Sequence, residues 1–118
     1  MGAAAPVSAQ GDEGPRVGLR LVADGLVSPV ALVAAPDGSG RRFVVDQTGV
    51  IRVMSADGTL QPEPFLDLRS RLVALMADYD ERGLLDMAFH PRYGTNGRFF
   101  VYYSSPLRAG APARSGEL

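Results

Sequence analysis

The sequence predicts an all-β fold, an antiparallel meander amounting to about one and a half blades of a β-propeller. Three observations predict it. Short apolar runs alternate with turns marked by glycine or proline from residue 17 to residue 104, and such spacing points to a sandwich, barrel or propeller. The run A-L-V-A-A-P-D-G-S-G-R-R-F-V-V-D from Ala31 is echoed by L-D-M-A-F-H-P-R-Y-G-T-N-G-R-F-F-V-Y-Y from Leu85. That is an internal repeat of roughly 50 residues, the size of one blade. The second copy then gives way to P-L-R-A-G-A-P-A-R-S-G-E-L after Ser105, so its third and fourth strands are not expected.

The elements follow in order. Residues 1–15 read as a flexible arm or as the small-residue remnant of a signal peptide; Met1 to Gly14 itself lacks a basic start and an apolar centre. Residues 16–105 carry the blades, with Val17 to Val22 as an extended lead-in strand. Val30 to Ala35 makes a strand closed by Pro36-Asp37-Gly38-Ser39-Gly40, where proline presets φ, Asp bonds locally and glycine is free in φ. Phe43 to Asp46 and Val50 to Met54 follow as a pair turned at Gln47-Thr48-Gly49. Asp57-Gly58 is a turn signal. Phe65 to Leu68 enters through Pro62 and Pro64, which suit an edge strand. Ser70 to Asp78 is expected as one helical turn or an ordered loop, with Ser70 able to cap. Leu84 to Phe89 and Arg98 to Ser104 form the last pair, and Asn96-Gly97 turns into its second strand. Residues 106–118 read as a polar tail or an unfinished loop.

Composition narrows the function. A chain of 118 residues makes at most one small domain. The net charge of −1 excludes a nucleic-acid surface, which needs a basic excess. All 12 basic residues are arginine, as coding in a GC-rich genome would give. With no cysteine, thiolate catalysis, disulfides and zinc–thiolate sites are excluded. No run reaches the roughly 18–20 apolar residues of a membrane span. Gly38-Ser39-Gly40 precedes a strand, whereas a phosphate loop needs a helix there. Asp78, Asp80 and Gly83 fit the first, third and sixth places of a calcium loop, but Arg82 and Phe89 stand at the fifth and twelfth. No metal ligand is therefore assigned.

Specific motifs run from about Leu21 to Ser104. The first set is Pro29-Val30-Ala31-Leu32, Pro36-Asp37-Gly38, Arg42-Phe43-Val44-Val45, Gln47, Gly49 and Ile51-Arg52-Val53. The second is Glu81-Arg82-Gly83-Leu84-Leu85, Ala88-Phe89-His90-Pro91, Tyr93, Asn96-Gly97 and Val101-Tyr102-Tyr103. In this order and spacing the chain resembles the soluble, quinone-dependent glucose/sorbosone dehydrogenases. The resemblance implies a six-bladed propeller of which this is the N-terminal part. It implies oxidation of the anomeric carbon of an aldose to a lactone, with pyrroloquinoline quinone and calcium as cofactors and an external electron acceptor. The sugar and the acceptor would be the partners, and the location periplasmic or extracellular.

The resemblance also sets the site residues. The histidine base would lie beyond Leu118, so no catalytic residue is assigned here and the chain alone is expected to be inactive, with no cofactor bound. Glu81 and Arg82 would stand at the funnel mouth, the carboxylate holding a sugar hydroxyl and the guanidinium an acidic quinone group. The alternative is that residues 78–82 form a solvated, partly self-paired loop. His90, the only histidine, reads as a hydrogen-bonding turn residue. Asp86 departs from the small residue usual after G-L-L. Propellers of the hedgehog-interacting type share the E-R-G-L-L…A-F-H-P block and bind proteins without redox chemistry, which is the alternative function.

Overall fold

A computed structural model describes residues 14–112. Residues 1–13 of the expected arm and residues 113–118 of the expected tail lie outside that range. The first sheet has strands β1 (Pro29–Ala34), β2 (Arg42–Asp46), β3 (Val50–Met54) and β4 (Leu66–Asp67), antiparallel and in sequence order. A 3-10 turn at Arg69–Arg71 and a long loop lead to β5 (Leu84–Phe89). One turn of helix, α1 (Tyr93–Asn96), then joins β5 to its antiparallel partner β6 (Phe99–Tyr103).

Alternation decides which residues meet. In β2 and β3, Phe43 pairs with Val53 and Val45 with Ile51, so these four share one face. In the second sheet a register shift between Leu84 and Asp86 turns Leu84, Met87 and Phe89 toward that face. The two sheets close on a core of Phe43, Val45, Ile51, Val53, Leu84 and Met87. Phe43 is fully buried and meets Phe65 and Phe89 edge-on, at centroid distances of 4.8 and 4.9 Å. Its burial contributes about 1.5–3 kcal/mol. The repeat seen in the sequence is thus two copies of one hairpin packed face to face.

Differences from expectation are local. Val17 to Val22 joins no ladder among the described residues, and Val17 and Leu19 are bare to solvent. Ser70 does not cap. The 3-10 turn begins after Leu68, without a side-chain cap bond, because the Leu68 amide already donates to the Gly49 carbonyl and pins the entry. Pro64 and the proline-rich approach shorten the fourth strand to two residues. The helical turn α1 comes from proximity: the Gly97 amide bonds the Tyr93 carbonyl, and Gly97 takes φ 64° as its left-handed cap.

Candidate functional site

At one end of the packed sheets, residues 74–82 form a loop over the β2–β3 turn, with a cleft of about 410 Å³ between them. Gln47, in that turn, is the joint. Its Nε2 donates to the Asp80 carbonyl at 2.6 Å and to the Arg82 carbonyl at 2.8 Å, and its Oε1 accepts from Ser28 Oγ at 3.1 Å. Its backbone carbonyl accepts from the Leu84 amide at 3.0 Å. Such contact leaves no room for a side chain at residue 83. A Cβ there would come within 2.5 Å of the Gln47 carbonyl oxygen, and φ is +131°, so glycine is required.

Asp80 organises the loop from within. Its Oδ2 accepts from the Met76 amide, and its Oδ1 from the Arg82 amide, each at 2.9 Å. The Arg82 guanidinium grips the same carboxylate through Nε at 2.9 Å and Nη2 at 2.7 Å, and Nη2 reaches the Ala74 carbonyl at 3.2 Å. Those side-chain bonds from Arg82, with the two amides, hold the Asp80 carboxyl well below the usual carboxylate range. The self-paired loop that the sequence left open is therefore what forms, and Arg82 is committed to it.

Glu81 has a different setting. Its side chain lies in solvent and accepts from the Tyr79 hydroxyl at 2.6 Å. That bond raises the phenol's pKa. Tyr79 and Met76 are themselves 69% and 63% exposed. Glu81, Tyr79 and Met76 thus stand outward from a loop whose backbone is tied down at Met76, Asp80 and Arg82.

The neighbouring Asp46 is structural. It is nearly buried, which by itself would raise its pKa, but it accepts from Thr48 Oγ1 at 2.6 Å and from the amides of Val27, Ser28 and Thr48 at 3.0 Å each. Together these bonds lower it. His90 also sits in a turn: its Nδ1 accepts from the Arg92 amide at 3.0 Å and lies 2.9 Å from Asn96 Nδ2. That arrangement fits the tautomer protonated at Nε2.

Among the described residues no three carboxylate or imidazole groups converge as metal ligands, and Arg82 gives its Nε and Nη2 to Asp80 and Ala74. Gln47 was not legible in the sequence as the joint, because its partners lie 33 and 35 residues away.

A four-stranded antiparallel meander with the first hairpin of a second sheet stacked on its face, in sequence order, is the arrangement of successive blades in a propeller. A family model described as Glucose / Sorbosone dehydrogenase matches residues 26–115, and the chain belongs to that family. Among characterised proteins it is 39% identical over 84 residues to the Hedgehog-interacting protein of Mus musculus and 37% identical over 84 residues to that of Homo sapiens. Each match covers 71% of this chain and 12% of the relative. The HIPL1 protein of Arabidopsis thaliana is 32% identical over 99 residues, covering 76% of this chain and 14% of its own. The chain therefore spans only about an eighth of the length of these relatives. No helix among the described residues is long and apolar enough to cross a membrane.

Proposed function

We propose that this chain is part of a propeller that works by binding a protein outside the cytoplasm, with loop 74–82 as contact edge. The observation that carries the reading is the exposed pair Met76 and Tyr79 on a loop locked by Gln47 and Asp80. Aromatic and methionine side chains are enriched in protein interfaces, and a fixed loop loses little entropy when it docks. Glu81 adds a carboxylate for an arginine or lysine of the partner. Two similar proteins are named for interacting with Hedgehog, so Hedgehog is the first probe. On a sensor carrying immobilised Hedgehog, the chain binds saturably, and Tyr79→Ala or Met76→Ala weakens binding by about tenfold or more. No binding, or binding that ignores both substitutions, overturns the reading.

A second reading is favoured by the family match itself. There, in a quinone-dependent aldose dehydrogenase, Glu81 would hold a sugar hydroxyl and Arg82 an acidic group of pyrroloquinoline quinone, which with calcium would supply the hydride acceptor. Among the described residues no three carboxylate or imidazole groups gather as metal ligands for it. Dye reduction with the quinone, calcium and a panel of aldoses, assayed on a protein that carries this segment together with the remaining blades, separates the two readings. The binding reading expects none.

A further inference from the structure

Of the chain's four methionines, Met54 and Met87 are only 2% and 4% exposed, and Met1 lies outside the described residues. Met76 is 63% exposed, in the loop over the β2–β3 turn. It stands at an end of the sheets, where strands turn, and not on a sheet face that a neighbouring blade would cover. A thioether placed there meets small oxidants directly, whereas Met54 and Met87 meet them only when the sheets open. The backbone of the loop does not depend on that side chain. The Met76 amide donates to Asp80 Oδ2 at 2.9 Å, and neither the Asp80–Arg82 grip nor the Gln47 bonds use its sulfur. The loop therefore keeps its shape when the sulfur changes. Asp78, Asp80 and Glu81 outnumber Arg82 around it, a charge balance that repels anionic oxidants and admits uncharged ones.

We propose that Met76 is a reversible oxidation site that regulates the contact edge, an inference that rests on the binding reading above. The oxidant is a hydroperoxide, which carries no charge. The Met76 sulfur attacks the outer oxygen, the O–O bond breaks, and the sulfur is oxidised to the sulfoxide. The displaced oxygen leaves with the peroxide's proton as water or an alcohol, so the peroxide takes up the two electrons that the sulfur gives. The return step belongs to a methionine sulfoxide reductase, with a dithiol that becomes a disulfide as the oxygen departs in water. The added oxygen makes an apolar contact polar, and a partner docked on it must strip that oxygen of water. Oxidation thus loosens the contact and leaves the loop beneath it in place.

The experiment is a graded hydrogen peroxide treatment of the 118-residue chain, with each methionine read by peptide mass spectrometry and binding read on immobilised Hedgehog. Met76 should oxidise about tenfold or more faster than Met54 and Met87. The oxidised chain should bind about tenfold or more weakly, and a sulfoxide reductase should restore the binding. Met76→Leu, at whatever affinity it has, should bind equally before and after peroxide. The Arg82 amide should exchange at one rate in both forms, which separates a changed surface from a melted loop. Equal oxidation of Met54, Met76 and Met87 overturns the proposal whether or not Hedgehog binds. So does Met76 oxidation that leaves binding unchanged, a peroxide effect that Met76→Leu shares, or loss of the selectivity in a protein that carries the remaining blades. An untreated chain that binds no Hedgehog refutes the binding reading and the regulation with it, while the oxidation site itself is still decided by the mass map.

Discussion

Replacing Gln47 by leucine tests the joint directly. The side chain keeps its bulk but loses the Nε2 donor, and with it the bonds to the Asp80 and Arg82 carbonyls at 2.6 and 2.8 Å. Each such bond contributes about 0.5–1.5 kcal/mol net. Both acceptors lie near solvent and recover part of that from water, which leaves a cost of about 1–2 kcal/mol. The cost falls on closing loop 74–82 and spares the core, since Phe43, Ile51 and Leu84 do not touch the amide group's bonds. Amide hydrogen exchange reads it residue by residue. The Met76 and Arg82 amides, which donate to Asp80, should exchange roughly 5–30 times faster. The Val45 and Val53 amides should be unchanged. Equal protection at Met76 and Arg82 in both proteins would refute the assignment of Gln47 as the joint.

Other expectations follow from the same geometry. Gly83→Ala forces a Cβ into the Gln47 carbonyl at a φ that side chains rarely adopt; a urea titration should show a loss of about 1–3 kcal/mol. Phe43→Ala empties the centre of the aromatic cluster, costing about 3–5 kcal/mol by the same titration. Asp80, Asp37 and Asp67 all have carboxyls held down by bonds from Arg82, Ser39 and Arg69, Asp37 and Asp67 to about 2. Their folded-state pKa values lie below the ordinary 3.8, so their contribution is complete above that pH and is lost as pH falls through about 2. Thermal melts between pH 5 and pH 2 should show the decline, and Asp80→Asn should flatten part of it.

The sheet was legible because its signals are local. Phe43 to Asp46, Val50 to Met54 and Leu84 to Phe89 combine β-branched or aromatic residues with flanking turns, and they formed where expected. The packing of one hairpin on the other followed from the repeat. Local signals also misled where a distant bond outweighed them. Ser70 had capping chemistry, yet the turn is set by the Leu68 amide reaching Gly49. Val17 to Val22 alternates like a strand, but a strand needs a neighbour, and none of the described residues supplies one. In the site, the Asp80–Arg82 pair was readable from its spacing of two residues. The Gln47 bonds were not, because a glutamine in a D-Q-T-G turn says nothing about a loop more than 30 residues downstream.

The most direct test of the functional account is binding of the 118-residue chain to immobilised Hedgehog, with Tyr79→Ala run beside it. The account predicts saturable binding that weakens by about tenfold or more when the exposed ring is removed. Absence of binding, or binding that Tyr79→Ala leaves unchanged, would contradict it.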